Sequence, residues 1–283
     1  MTVGHTTSAN LAERAEVAVV VPTKNSARTL RACLEAVRSQ SVACEIVVVD
    51  NFSNDETVQI AEELADIVVI TGPERSAQRN AGARATIAGI VGFIDSDMIP
   101  APEVVAQAVV AIHSGATSVI VPEFTVGIGY WARVRAFERS FYDGSDDIEA
   151  ARFFSRAAFE AAGGFDEQLT GTEDWDLSDR MRAVGPLVRI EAAICHDEGH
   201  VRYLDACRKK AYYAPGLRRY GATIGVAALG RKLAARPWLR QPVRVLSSPL
   251  GPGLLALKAG EAGAVMSSLL HDRLSISTRR VVP

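Results

Sequence analysis

Short apolar runs alternate with longer amphipathic stretches through the first half of the chain. The runs predict buried strands, and the stretches, with apolar positions three or four residues apart, predict helices. The helix over 53–64 begins in a capping box, Ser53-Asn54-Asp55-Glu56. Strands joined by helices of this length form βαβ units, so the pattern predicts a Rossmann-like α/β/α sandwich with a mainly parallel sheet. The predicted strands cover residues 16–21, 45–49, 66–70, 89–94 and 118–121, and the predicted helices 26–40, 53–64, 76–88 and 102–113.

The pattern changes after residue 125 and becomes mainly helical towards the end of the chain. An amphipathic helix over 128–141 and a Gly- and Asp-rich loop over 143–147 come first. From Tyr203 onward the chain reads as a helical extension interrupted by prolines. Between these parts we predict strands over 151–155 and 187–194 and helices over 156–162 and 173–184, and the interrupting prolines are Pro215, Pro237, Pro242, Pro249 and Pro252.

No segment contains the roughly 18 uncharged apolar residues of a membrane-spanning helix, so no span is expected. Residues 246–270 come nearest, but they contain Lys258, Glu261 and several helix-breaking residues. Two interpretations stay open for them, an interfacial segment among lipid headgroups and simple packing on the protein. Residues 1–15 are polar and lack the apolar stretch of a signal peptide, which predicts a cytosolic start.

The net charge of −2 hides an uneven distribution. Residues 200–283 contain 15 Lys+Arg and 3 Asp+Glu, whereas the rest of the chain contains 16 and 30. The clusters Arg208-Lys209-Lys210 and Arg218-Arg219-Tyr220 are consistent with an anionic membrane surface, with nucleic acid or with a solvated helix face. The four cysteines form no CxxC pair and predict reduced, buried thiols.

Polar residues follow three of the predicted strands, and ligands bind at the carboxyl ends of the strands in such sheets. The three groups are Thr23-Lys24-Asn25, Asp50-Asn51 and Asp95-Ser96-Asp97. If strand geometry persists, Asp95 and Asp97 aim both carboxylates to one side, where they repel unless a cation lies between them. Oxygen ligands of this kind suit Mg²⁺ or Mn²⁺. A turn with two solvated aspartates is the alternative.

Four further features, in order and spacing over residues 16–200, resemble the family-2 glycosyltransferases of the GT-A fold. The resemblance implies a nucleotide-sugar-dependent enzyme whose opening strand and turn line the nucleotide site. Lys24 departs from the aromatic or small residue often found at its position. The features are Pro22-Thr23-Lys24-Asn25 after a valine run, Asp50-Asn51-Phe52-Ser53-Asn54-Asp55 after another, Arg79-Asn80-Ala81-Gly82, and Gly163-Gly164-Phe165-Asp166-Glu167 followed by Glu173-Asp174.

The same resemblance assigns roles on the donor side. Asp50 accepts hydrogen bonds from the base of the donor, and Arg79 pairs with its diphosphate. Asp97 is the stronger metal ligand; Asp95 is either a second ligand or a contact to the ribose or sugar, and His196 adds a further ligand. The implied donor-binding set is Pro22, Thr23, Asn25, Asp50, Ser53, Arg79, Asn80, Asp95 and Ser96.

On the acceptor side the resemblance implies inversion by a single displacement. Asp174 is then the catalytic base, with Glu173 beside it, because the attacking hydroxyl must lose its proton to a carboxylate opposite the leaving group. Acidic residues also favour a helix start through the helix dipole alone, which remains the alternative. Asp176 and Asp179 follow on the same helix and are expected to be solvated or salt-bridged.

The expected organisation is a flexible leader over 1–15, a catalytic domain over 16–200 and a basic, amphipathic helical extension over 201–283. Within the catalytic domain, 16–124 forms the nucleotide-binding half and 125–200 the acceptor half. The expected acceptor is a saccharide, on a polyprenyl-phosphate-type lipid or on a soluble molecule, and the expected place is the cytoplasm, in peripheral contact with the inner face of the membrane; nucleic acid is not expected. A sugar-1-phosphate nucleotidyltransferase and a non-catalytic membrane-associated protein are the alternatives from other classes.

Overall fold

The computed structural model describes residues 15–146 and 148–279, and the side chains as far as His271. All but the last residue of the predicted leader over 1–15 lies outside the described part. The chain forms two compact units. Unit 1 runs through Phe124 and includes Gly144–Glu167 and Glu173–Asp197, and unit 2 contains Thr125–Asp143, Gln168–Thr172 and the chain from Glu198.

The strands form a large sheet and a small one. The large sheet has the order β3-β2-β1-β4-β8-β6-β9, and the small one the order β5-β10-β7. Strands β1 to β4 are parallel, and β8 lies antiparallel between β4 and β6. The prediction of a mainly parallel sheet is therefore confirmed. The strands are β1 (Val17–Thr23), β2 (Glu45–Asp50), β3 (Ile67–Ile70), β4 (Ile90–Phe93), β5 (Met98–Pro100), β6 (Ser118–Ile120), β7 (Glu123–Ile128), β8 (Ala151–Ser155), β9 (Leu187–Arg189) and β10 (Ile194–His200).

Helices cover both faces of the large sheet in unit 1. Along β1, Val17, Val19 and Val21 pack with Leu30 and Val104, while Ala18 and Val20 belong to a second core with Phe159 and Leu177. Alternate residues of a strand point to opposite faces, so a continuous apolar run fills two cores at once. The helices are α1 (Ala27–Arg38), α2 (Thr57–Leu64), α3 (Arg75–Ala85), α4 (Val104–His113), α5 (Tyr130–Arg139), α6 (Arg156–Ala161), α7 (Glu173–Val184), α8 (Tyr203–Ile224), α9 (Val226–Ala234), α10 (Pro242–Ser247) and α11 (Gly251–Arg279).

Two local predictions in unit 1 are wrong. The capping box at Ser53 does not form, because the Ser53 hydroxyl donates to Asp50 and α2 begins only at Thr57, whose N–H donates to Asp55 at 3.1 Å. The single strand over 187–194 is two strands. The first, β9, pairs with β6 in the large sheet, whereas β10 pairs with β5 in the small one. His196 therefore lies inside a strand rather than after one.

Unit 2 is built mainly of α5, α8 and α11 around a core that includes Val134, Leu254 and Leu257. The predicted interruption at Pro215 is wrong, because α8 continues through it. The predicted breaks within 246–270 are confirmed only at Pro249, between the end of α10 at Ser247 and the start of α11 at Gly251, because Pro252 and Gly260 lie inside α11. A Cβ on Gly260 would lie 2.0 Å from the Tyr203 hydroxyl oxygen, so this glycine allows close helix packing instead of ending the helix.

A stretch of α11, Gly251–His271, is long and apolar enough to cross a membrane, and 22% of the window that meets this test is buried inside the protein. Length and composition of this kind also occur in core helices of soluble proteins. Lys258 and Glu261 lie in this stretch and pair with each other at 2.7 Å, and Lys258 also pairs with Glu138 at 2.5 Å. Burial by itself would raise the pKa of Glu138, but Lys258 and Arg135 outweigh burial and lower it to about 2.

Candidate active site

The loops that follow β1 and β2 are joined by hydrogen bonds. Asp50, the last residue of β2, is fully buried, and its carboxylate accepts from the Ser53 N–H at 2.8 Å and from the Ser53 hydroxyl at 2.5 Å. The Ser53 hydroxyl accepts from the Asn25 N–H at 2.7 Å, and the Asn25 side-chain oxygen accepts from the Asn54 N–H at 3.0 Å. The structure thus brings Asn25, Asp50 and Ser53 into one network.

The end of β1 lies beside this network. Pro22 and Thr23 pair with Val49 and Asp50 across the parallel ladder, and both are buried. The Thr23 hydroxyl oxygen is buried without a hydrogen-bond partner among the described residues. Lys24 follows as an exposed side chain. Such an unpaired buried hydroxyl is uncommon and is compatible with a ligand at this edge.

Arg79 occupies the centre of a buried charge network. It lies on α3, and its guanidinium donates to Asp95 at 2.7 Å and to Asp174 at 3.0 Å. Arg152 on β8 reaches the other Asp95 oxygen at 3.5 Å. Burial by itself would raise the pKa of the Asp95 carboxyl, but the charges of Arg79 and Arg152 outweigh burial and hold it well below its usual range. Asp95 is therefore an ionised carboxylate neutralised by two arginines.

Glu173 and Asp174 begin α7, as predicted, but differ in environment. Glu173 is buried 3.4 Å from Arg75 and 3.6 Å from Arg79, and burial, together with the charge of Asp174, raises its pKa. The side chain of Asp174 is 32% exposed. A partly exposed carboxylate oriented by a buried arginine has the properties of a base that can receive a proton from an incoming group. Of these two carboxylates, Asp174 is the better candidate for such a base.

Asn80 fixes the Gly163–Glu167 loop to α3. Its amide N–H groups donate to the Phe165 carbonyl at 2.9 Å and to Glu167 at 3.0 Å, and its oxygen accepts from the Phe165 N–H at 3.0 Å. Its hydrogen-bonding capacity is thus largely used within the protein. Phe165 in turn lies under the Arg79 guanidinium, 5.1 Å from its ring centre. Asn80 therefore holds this loop against α3.

Asp97 and His196 face each other. The carboxylate oxygen and the imidazole Nε2 lie 3.2 Å apart, because β5 pairs with β10 and sets His196 opposite Met98. The His196 Nδ1 is buried without a hydrogen-bond partner in the described part of the chain. Strand β4 ends at Phe93, so strand geometry does not persist through Asp95 and Asp97. The two aspartates consequently have different partners.

These residues match what a divalent cation needs only in part. A carboxylate and an imidazole are suitable donors, and Mg²⁺ in particular is often bound by one or two carboxylates plus substrate phosphates and water. Within the described chain, no group of three or more His, Cys, Asp and Glu side chains is arranged to hold a metal ion. Asp97 and His196 thus fit a site that substrate oxygens complete. Ser96, between the aspartates, donates to the Ser26 hydroxyl at 2.9 Å.

Sequence reasoning missed Arg152 and Arg75. Arg152 bridges Asp95 and Glu123, which it contacts at 2.5 Å. A signal was available for it, because an arginine inside the apolar strand Ala-Arg-Phe-Phe-Ser needs a buried partner. Arg75 lies one turn before Arg79 on α3, which places both on one helix face. The salt bridges expected for the later acidic residues of α7 are present, Asp176 with Arg180 and Asp179 with Arg182.

Comparison with solved structures identifies the fold. The mannosyltransferase PcManGT from Pyrobaculum calidifontis, in complex with GDP-Man and Mn²⁺, aligns over 92% of this chain and 87% of its own with a TM-score of 0.57 and 18% identity. TarS from S. aureus aligns over 92% and 91% with a TM-score of 0.52 and 15% identity. The α/β sandwich is the GT-A fold of glycosyltransferases, as predicted.

Sequence comparison then gives the family. Residues 18–163, just over half of the chain, match the model described as Glycosyl transferase family 2. The pre-mycofactocin glycosyltransferase of Mycobacterium tuberculosis is 26% identical over 234 residues, 75% of this chain and 49% of that protein. AglE of Haloferax volcanii is 33% identical over 94 residues, 30% of this chain and 31% of that protein. The chain belongs to glycosyl transferase family 2, and it spans about half the length of the first of these relatives.

Proposed function

We propose that this protein transfers a glycosyl group from a nucleoside-diphosphate sugar to an acceptor hydroxyl, with inversion at the anomeric carbon. The observation that supports this most is the shared bond of Asp95 and Asp174 to Arg79. It ties the donor-side aspartate to a partly exposed carboxylate that can act on an acceptor. The donor complexes of similar folds, with GDP-Man and Mn²⁺ in PcManGT and UDP-GlcNAc in TarS, agree with such a donor.

Each part of the site then has a chemical task. Asp174 accepts the proton of the acceptor hydroxyl while the hydroxyl oxygen bonds to the anomeric carbon, and the bond from that carbon to the diphosphate breaks with both electrons leaving on the diphosphate oxygen. Asp50 would receive the base, and Thr23 would meet the nucleotide at the end of β1. Arg79 and Arg152 keep the Asp95 carboxylate ionised, and this carboxylate would contact the ribose or the sugar of the donor.

Mg²⁺ or Mn²⁺ would be held by Asp97 and His196. When bound, such an ion supplies positive charge that stabilises the departing diphosphate. Asp95 contributes less as a ligand, because two arginines already neutralise it. His196 is positioned for this task by the pairing of β10 with β5.

A thermal-shift panel tests the donor. UDP-, GDP- and dTDP-sugars are added to the protein with Mn²⁺ or with chelator, and at least one should raise the melting temperature only when Mn²⁺ is present. Stabilisation by a nucleoside triphosphate with release of pyrophosphate would instead indicate a nucleotidyltransferase. No shift with any nucleotide would contradict the proposal.

For the acceptor we propose a lipid-linked saccharide reached from the inner face of the membrane. Residues 226–247 of unit 2, which contain α9, a 3-10 turn (Pro237–Arg240) and α10, include five Lys+Arg and no Asp or Glu. Val226, Val243 and Leu246 are exposed there. Apolar side chains among cations suit the surface of an anionic bilayer. Lys258 and Glu261 in α11 pair within the protein, which favours surface docking over a span.

Vesicle flotation tests this docking. The protein should float with vesicles that contain phosphatidylglycerol and much less with pure phosphatidylcholine. The double variant Val243→Glu and Leu246→Glu should lose flotation, whereas Val110→Glu, an exposed valine of unit 1, should not. Equal flotation of all three proteins, or none, would contradict docking through this segment and favour a soluble acceptor.

A further inference from the structure

Phe52 has a backbone conformation that a phenylalanine rarely adopts. Among the described residues only two other than glycine have positive φ, Asn25 at 49° and Phe52 at 52°. Asparagine tolerates the left-handed region, but a bulky residue there is an outlier with a backbone conformational cost. A glycine at position 52 would carry no such cost. Some other contribution has to account for a phenylalanine at this position.

Burial does not account for it, because the side chain of Phe52 points into solvent. The residue is 69% exposed, the highest fraction among the large hydrophobic residues described in unit 1. Its ring therefore gains little hydrophobic stabilisation from the rest of the protein. Strained, exposed residues of this kind are concentrated where a protein contacts a ligand.

Hydrogen bonds hold the chain on both sides of Phe52. The Asn51 side-chain amide donates to the Pro73 carbonyl at 2.6 Å, and Ser53 is bound to Asp50 through both its N–H and its hydroxyl. The next residue, Asn54, donates to Asn25 in the loop after β1. The ring is consequently presented from a rigid turn that starts at the buried carboxylate of Asp50.

We propose that Phe52 is the platform on which the nucleobase of the donor stacks. This rests on the proposed use of a nucleoside-diphosphate sugar, and it deepens that proposal by naming the residue that binds the face of the base. An aromatic ring offers a flat apolar surface to any base, and such stacking is worth about 1–3 kcal/mol per base. In this arrangement Asp50 accepts hydrogen bonds from the edge of the base, and the Phe52 ring stacks on its face. The base is then bound by one polar and one apolar contact.

Calorimetric titration separates the base from the phosphates. UDP or GDP, whichever the wild type binds more tightly, and inorganic pyrophosphate are titrated in the presence of Mn²⁺ into wild type, Phe52→Ala, Phe52→Gly and Phe52→Trp. The alanine and glycine variants should bind the nucleotide about 5- to 150-fold more weakly and pyrophosphate as wild type does. Phe52→Trp should retain nucleotide affinity. Ile87→Ala removes a similarly exposed apolar side chain, 66% exposed and just before β4, and should bind as wild type.

The glycine variant controls for the turn itself. Because glycine adopts the left-handed region freely, Phe52→Gly should melt at or above the temperature of the wild type while it loses nucleotide affinity. Wild-type nucleotide affinity in both small variants would overturn the role of Phe52 and leave the proposed function intact. Loss of pyrophosphate binding in parallel would also overturn it, since the turn and not the ring would then matter. A wild type that binds no nucleotide would refute the proposed function itself.

Discussion

Asp95 and Asp174 are hydrogen-bonded to one buried guanidinium, that of Arg79, at 2.7 and 3.0 Å. They are 79 positions apart in the chain, and α3 brings the arginine between them. A planar fork can hold two carboxylates in fixed relative positions, which a single ammonium cannot do equally well. Asp95 and Asp174, the candidate base, are thus oriented by the same group.

The first prediction concerns this fork. Arg79→Lys should lower the free energy of unfolding by about 3 kcal/mol, because a lysine cannot pair with both carboxylates and the buried site then holds an uncompensated charge. It should also lower kcat at least about 100-fold, since the carboxylates are no longer aligned. Chemical denaturation and steady-state kinetics measure the two effects. Arg84→Lys, at an exposed position of the same helix, is the control, and equal behaviour of both variants would exclude the role given to Arg79.

A second prediction separates chemistry from binding at Asp174. Asp174→Asn keeps the shape of the side chain but cannot take the acceptor proton, so transfer should fall by about 10²- to 10⁴-fold. The affinity for the donor nucleotide, measured by calorimetry, should stay within about twofold of wild type. Asp179→Asn, on the same helix and paired with Arg182, should transfer normally. If Asp174→Asn loses nucleotide affinity instead of turnover, the residue is structural.

The third prediction concerns pH and the ion cluster of unit 2. The pKa of Glu138 is lowered to about 2 in the folded protein from an ordinary value of 4.5. A lowered carboxyl pKa contributes stability that is present above about pH 4.5 and is lost as the pH falls towards 2. That contribution is at most about 3 kcal/mol.

Glu138→Gln should therefore be less stable than wild type at pH 7, and the difference should shrink between pH 4.5 and 2. Urea unfolding at a series of pH values measures it. Glu160→Gln, an exposed residue, should show no comparable difference. A gap between wild type and Glu138→Gln that stays constant down to pH 2 would show that Glu138 is not held ionised in the fold.

The sandwich and the residues at its strand ends could be predicted because both depend on local patterns. Apolar runs fixed the order of strands and helices, and polar residues after the runs identified Asp50, Asp95 and Asp97. The predicted capping box at Ser53 is wrong for a physical reason. Its hydroxyl bonds to Asp50, three residues earlier and outside the box, and this contact replaces the cap.

Local sequence patterns could not predict the charge network around Arg79. Arg79 was assigned to the diphosphate, but its burial and its two partners depend on residues 16 and 95 positions away. The pairing of His196 with Asp97 depends on the short strand β5, which has only three residues and no distinctive periodicity. In unit 2, Gly260 and Pro215 look like helix breakers locally, and tertiary packing decides otherwise.

The most direct test of the account is the effect of Asp97 on metal-dependent nucleotide binding. UDP or GDP is titrated calorimetrically into wild type and Asp97→Ala, each with Mn²⁺ and with chelator, and circular dichroism verifies that the variant is folded. The account predicts that Mn²⁺ strengthens binding to the wild type at least about tenfold and has no such effect on Asp97→Ala. Equal strengthening in both proteins, or wild-type binding that is unchanged by chelator, would contradict it.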